Sequence, residues 1–153
     1  MLLYHNDGNG KFSEVSHQAG IDKPGKGLGL AIADYDHDGW IDILLANDSI
    51  PEYLFHNRGN GRFEEIGLAS GAALDGNGTS FAGMGVDFED YNNDGWPDII
   101  ITDLANQRYA LYSNAKDGSI TPHLSPAWVR SLCCIRDGAC VSSTMTTMGG
   151  RTC

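Results

Sequence analysis

Residues 1–120 contain no cysteine: Cys133, Cys134, Cys140 and Cys153 all fall after them. No disulfide framework can therefore staple the main body of the chain. The spacing of the four is not that of a C-x-x-C metal pair, so they read as incidental thiols and not as a zinc site. Long apolar runs are missing too. No stretch approaches the ~20 apolar residues of a membrane span. Met1-Leu2-Leu3-Tyr4 lacks the basic start and the apolar run of about 7–15 residues that a signal peptide needs. No membrane insertion and no visible export signal are expected. Basic residues are scarce: residues 1–120 hold 19 Asp and Glu against 7 Lys and Arg, a balance of −12, whereas residues 121–153 hold 1 against 3. Nucleic acids and anionic membranes are bound largely through Lys and Arg, and this body repels both. Metal cations are its natural partners.

What the chain does have is repetition. Gly27 to Asn47, GLGLAIADYDHDGWIDILLAN, matches Gly83 to Asp103, GMGVDFEDYNNDGWPDIIITD, at the constant offset of 56 that separates Asp34 from Asp90. A second string alternates with it: LYHNDGNGKFSEV from Leu3, LFHNRGNGRFEEI from Leu54, and a fading LYSNAKDGSI from Leu111. Short apolar runs rich in β-branched and aromatic residues, divided by Asn, Asp and Gly clusters, predict strands and tight turns. In the complete unit the strands are expected at 27–33, 42–46, 52–57 and 61–66. A partial helix is expected near 107–112. Four-stranded units in series suggest the blades of a β-propeller, each burying its faces against its neighbours. The fold expected is all-β, a partial β-propeller of four-stranded antiparallel blades: a half blade over 1–16, a full blade over 27–66 and most of a blade over 83–120. A closed propeller takes about 4–8 blades, so uncovered strand edges and apolar faces should promote self-association or call for the remaining blades of a longer parent.

Between the first two strands of each unit lies a run of oxygen-bearing side chains: Asp34, Asp36, Asp38 and Asp42 in the first, and Asp90, Asn92, Asp94 and Asp98 in the second, where one amide stands among the acids. Oxygens at positions 1, 3, 5 and 9 of a loop repel one another unless a hard cation with about 6–8 oxygen ligands gathers them, and Ca²⁺ is the usual one. Gly39 and Gly95 at position 6 permit the sharp turn, and the carbonyls of Trp40 and Trp96 at position 7 can then face the ion. The bidentate Glu of an EF-hand is missing, since Leu45 and Ile101 occupy position 12. A lone string of this kind reads equally well as a solvated acidic turn; two matching copies favour metal. Asn92 in place of Asp36 drops one charge, so the second loop should bind more weakly. Asp42→Ala should weaken the first site and spare the second.

The pattern G-x-G-x-x-x-x-D-Y-[DN]-x-D-G-W-x-D before an aliphatic strand resembles the FG-GAP/VCBS repeat of integrin α-subunit propellers over about residues 1–120. With its downstream [YF]-[HS]-N hairpin it is similar to the cartilage acidic protein group and its bacterial relatives, which often end in an ASPIC/UnbV domain. The Gly-Ala-Pro of the FG-GAP signature is missing, with only Phe81-Ala82-Gly83 near it, and no ASPIC/UnbV segment is present. The resemblance implies a secreted, cell-surface or periplasmic propeller with Ca²⁺ in its loops, engaged in adhesion and in protein or carbohydrate recognition. It places calcium ligands at Asp34, Asp36, Asp38, the Trp40 carbonyl and Asp42, and at Asp90, Asn92, Asp94, the Trp96 carbonyl and Asp98.

His5 and His56, equivalent strand residues, are expected to pack or to support turns and not to catalyse; His37, at a non-ligand position, should face solvent. Trp40 and Trp96 could form a sugar-binding surface, but packing over their loops is the preferred reading. Asn47-Asp48-Ser49 and Asn77-Gly78-Thr79 are formal glycosylation sequons. The connection holding Asn77 is longer than its earlier counterpart, as a binding insertion or simply a tolerated one. An enzyme reading would make Asp34 and Asp38 the acid and base of glycoside cleavage, yet the constellation recurs where an active site is built once. A third reading is a truncated open reading frame without independent function. The tail, 121–153, is expected to be the next blade translated in a wrong frame and poorly ordered. With each codon begun at the third nucleotide of the present one, Met145-Thr146 must give Asp and Met148-Gly149 must give Gly, two residues of the repeated acidic loop.

Overall fold

The computed structural model describes residues 1–103 and 109–123. Strands β1 (Tyr4–Gly8) and β2 (Lys11–Glu14) form a two-stranded hairpin. A one-turn helix α1 (Ser16–Ala19) leads on to β3 (Gly27–Ala33), β4 (Asp42–Asn47), β5 (Tyr53–Asn57) and β6 (Phe63–Glu65), a four-stranded antiparallel sheet in sequence order. After a second one-turn helix, α2 (Gly67–Ser70), the pattern repeats in β7 (Gly85–Glu89), β8 (Asp98–Thr102), β9 (Ala110–Asn114) and β10 (Ile120–His123). The all-β, four-stranded units expected from the repeat are present. The partial helix expected near 107–112 is corrected where it is described: Ala110–Asn114 is a strand paired to β8, because Leu111 and Tyr112 meet Ile100 and Ile99 across the ladder. Gln107 and Arg108 lie outside the described residues, as does the reading of the tail from residue 124 onward.

The two helices were not expected from sequence. Val15-Ser16-His17-Gln18-Ala19-Gly20 and Ile66-Gly67-Leu68-Ala69-Ser70-Gly71 are equivalent: each makes a single turn and stops at a glycine in the left-handed region, φ 81° at Gly20 and 92° at Gly71. A Cβ on Gly20 would lie 2.9 Å from the Phe63 carbonyl oxygen, and one on Gly71 would lie 2.3 Å from that of Ile120. Each glycine thus lets the connection leaving one sheet press against the outermost strand of the next.

Packing follows the alternation of the strands. Leu44, Ala46 and Leu54 of the first four-stranded sheet meet Ile99, Ile101, Tyr112 and Ile120 of the second in one buried cluster that also takes in Tyr35 and Ala72. Each such aliphatic side chain contributes about 1.5–3 kcal/mol relative to exposure. On the opposite face of the first sheet Ile43 and Phe55 pack with Ile21, Met1, Leu3, Tyr53 and Phe63, which brings in the β1–β2 hairpin. The first strands of the two sheets run side by side, and a Cβ at Gly29 would sit 3.0 Å from the Gly85 Cα, so the second glycine of the first G-x-G is set by backbone approach. Leu28, Leu30 and Ile32 alternate along β3 and stay 54%, 54% and 62% exposed.

One buried acid sits at the end of the sheets away from the acidic loops. Glu52 is 1% exposed; one carboxylate oxygen accepts the Asn47 amide and Oε1 has no partner. Burial first, and the charge of Asp103 with it, push Glu52 up to about 8, against the pull of the Asn47 amide. An acid with a raised folded-state pKa contributes its stability in full below the unfolded value and loses it as pH rises through the folded one. In chelator, the unfolding free energy should therefore rise as pH falls from about 8 toward about 4.5, and Glu52→Gln should flatten that rise. A denaturation series across pH checks it; an unchanged slope in Glu52→Gln would mean that Glu52 is already ionised in the fold.

Candidate metal centre

Both acidic runs form the turn between the first and second strands of their sheets, and the two turns share one geometry. Gly39 and Gly95 adopt φ 91° and 88°, while His37 and Asn93, two residues earlier, adopt 57° and 58°. In the first turn the Asp34 carboxylate accepts the amides of Asp38 and Gly39, both at 3.0 Å. Asp36 accepts from Asp38 at 3.3 Å, and Asp38 from Trp40 at 2.8 Å. In the second turn Asp90 accepts from Asp94 at 3.0 Å and Gly95 at 2.8 Å, Asn92 from Asp94 at 2.9 Å, and Asp94 from Trp96 at 3.0 Å. The side chains predicted as ligands are thus gathered by the backbone itself. Trp40 and Trp96 enter these turns through their amides.

Asp34, Asp36 and Asp38 each place an oxygen within 4.8 Å of the others, and so do Asp36 and Asp42 with a nitrogen of His56. Asp42 is fully buried and holds the amides of Tyr35 (3.2 Å) and Asn57 (2.8 Å). His56 Nδ1 lies 3.2 Å from Asp42 Oδ1 and 3.3 Å from Asp36 Oδ2. His56, expected to pack or to support a turn, is therefore part of the acidic cluster; its place directly before the hairpin Asn, as the [HS] of the repeated string, was the available signal. In the second turn Lys116 brings the opposing charge, with Nζ 3.3 Å from Asp94 Oδ2.

Asp98, the counterpart of Asp42, carries the decisive feature. It is 1% exposed and its Oδ1 accepts the Asn114 amide at 2.8 Å, but Oδ2 has no hydrogen bond of ordinary geometry, although the Tyr91 amide is near enough to favour its charge. Burial raises the carboxyls of both Asp42 and Asp98 above the usual range, against the amides that bind them. A buried, partly unpaired carboxylate costs free energy unless a cation or proton meets it. The charges of Asp94 and Asp90 are close enough to raise Asp98 further, and hard oxygen donors of this kind suit Ca²⁺.

The remaining residues divide. Trp40 lies over the hairpin turn: a Cβ on Gly59 would come within 2.5 Å of its indole nitrogen. In the second sheet that position, with φ 68° against 69°, is Lys116, so a side chain occupies the space that the indole takes in the first. Trp96 instead stacks on His37, ring centroids 4.4 Å apart and 25° from parallel. His37 is exposed as expected, and through this stack it also joins one turn to the next. His5 is exposed on β1. Of the two sequons, Asn47 is buried, with its side chain bonded to the Lys26 amide and the Pro51 carbonyl, whereas Asn77 is exposed in a turn held by Asp75.

Comparison with known proteins agrees with this doubled geometry. Cartilage acidic protein 1 of Mus musculus is 34% identical over 87 residues, covering 57% of this chain and 13% of that protein. The Homo sapiens protein of the same name shows the same identity and coverage, and that of Xenopus tropicalis is 32% identical over 88 residues, or 58% of this chain and 13% of its own length. The chain therefore spans a small part of these curated relatives. The family model for the FG-GAP-like repeat matches twice, over residues 1–45 and 38–101, and by this match the chain belongs to the FG-GAP-like repeat family.

Proposed function

We propose that the chain is a calcium-binding segment of an extracellular β-propeller that serves in protein or carbohydrate recognition. The observation that carries this reading is Asp98, a buried carboxylate with an unpaired oxygen at the end of a turn lined by Asp90, Asn92 and Asp94. The ligands at the first site would be Asp34, Asp36, Asp38, the Trp40 carbonyl and Asp42, and at the second Asp90, Asn92, Asp94, the Trp96 carbonyl and Asp98. When bound, Ca²⁺ would supply charge compensation and hold each turn in one shape. The amides already set the backbone of each turn, and the carboxylate positions are what the ion would be left to fix.

The extracellular placement rests on the family and on the cartilage acidic protein relatives. Among the described residues no helix is long and apolar enough to cross a membrane. The same relatives point to a non-enzymatic repeat domain. The bonds agree with that: Asp34 spends both oxygens on backbone amides, a poor arrangement for an acid or base in glycoside cleavage. Partners on this reading are a protein or carbohydrate ligand and further sheets of the same kind, from a longer parent or a second copy, which would cover Leu28, Leu30 and Ile32.

Calorimetric titration tests the metal assignment. Two calcium ions per chain are expected, with dissociation constants of roughly 10⁻⁴–10⁻³ M, the range of extracellular modules. Asp36→Ala should remove one and Asp90→Ala the other. Absence of calcium heat in the unmodified chain would rule the assignment out.

A further inference from the structure

We propose that the two turns bind their ions as a coupled pair and that Asn114 is the positioning residue that joins them; this rests on the calcium reading above. Asn114 ends β9 and is 3% exposed. Its backbone amide donates to Asp98 Oδ1 at 2.8 Å, inside the second site. Its side-chain nitrogen donates to two carbonyls: that of Pro97 in its own turn at 3.1 Å, and that of Tyr35 in the other turn at 2.7 Å. Its side-chain oxygen accepts the Lys116 amide at 3.0 Å. Every polar atom of the side chain is thus engaged, which fixes its rotamer.

The peptide that receives this bond leads directly to the first site. Tyr35 lies between Asp34 and Asp36, is 2% exposed, and donates its own amide to Asp42 Oδ2 at 3.2 Å. A continuous path therefore runs from Asp98 through Asn114 and Tyr35 to Asp42. Two further contacts run in parallel: the Tyr35 hydroxyl reaches the Gly118 carbonyl at 3.4 Å, and the His37 ring stacks on Trp96. In the first sheet Asn57 makes the same bonds to its own turn, its amide to Asp42 and its side chain to the Ile41 carbonyl. The cross-turn bond is an addition to a standard arrangement.

With the second site filled, Asp98 would be held in one position, and Asn114 and the Tyr35 carbonyl would be held with it. Part of the ordering that the first ion requires is then already in place, so the second event costs less. Repulsion between the two ions opposes the effect, but the loop carboxylates and salt reduce it. By linkage the factor is the same in both directions.

The test measures calcium affinity at one site with the other intact or removed, by calorimetry on the full chain. Asp90→Ala should weaken the first site about 5-fold or more, and Asp36→Ala should weaken the second by the same factor. In Asn114→Ala that dependence should shrink toward one, a change that a purely structural role would not produce. His37→Ala, an exposed position, should reduce it in part, and it carries the test should Asn114→Ala not fold. Sites that bind calcium with affinities independent of one another would overturn the coupling and leave the calcium reading standing. No binding at either site would overturn both.

Discussion

Replacing Asp42 by alanine should lower the unfolding free energy by about 2–5 kcal/mol even in chelator, because the change strands the buried amides of Tyr35 and Asn57 and the His56 ring together. From sequence alone the same substitution looked like a clean way to weaken one metal site. The structure makes Asp42 a hub of the turn first and a candidate ligand second. Asp36 is the cleaner probe, since among the described residues the one backbone donor to its carboxylate is the Asp38 amide, through a long bond. Denaturation of both variants in chelator separates the roles: Asp36→Ala should unfold close to the unmodified chain and Asp42→Ala well before it. If the two matched, the buried network around Asp42 would have no such weight.

Gly71→Ala should cost about 3 kcal/mol or more. A residue with a side chain at φ 92° carries roughly 1–2 kcal/mol of strain, and its Cβ would lie 2.3 Å from the Ile120 carbonyl oxygen, a backbone atom of β10 that can yield only by moving the strand. Gly78 offers the control, with φ 74° and nothing within 4 Å of its Cβ, so Gly78→Ala should show the strain alone. Equal midpoints for the two variants would mean that the second sheet shifts freely away from α2.

The parts of this fold legible in the sequence are those that repeat locally. β3 was expected at its observed bounds, β4 and β5 within a residue, and β6 was overextended at both ends; strand alternation and the Asn-Gly turns carry that information within a few residues. β9 was misread because Tyr109 to Tyr112 is a short apolar run whose period does not distinguish helix from strand, and its pairing with β8 decides the matter. α1 and α2 escaped because one turn is too short for a helical period, although the repeated Gly20 and Gly71 marked their ends. Contacts between units were the least legible. Asn114 reaches Tyr35 across 79 residues, and the His37–Trp96 stack forms only because consecutive sheets bring equivalent turns together. A string comparison aligns those turns without showing that they touch.

The calcium dependence of thermal unfolding tests the central claim most directly. Ligand that binds only the folded chain stabilises it by RT ln(1 + [L]/Kd), so ~10 mM calcium should add about 1.4–2.7 kcal/mol per site at the affinities expected here. The account predicts a midpoint that climbs with calcium, falls back in chelator, and ceases to respond when Asp36→Ala and Asp90→Ala are combined. A midpoint that millimolar calcium leaves unchanged in the unmodified chain would contradict it.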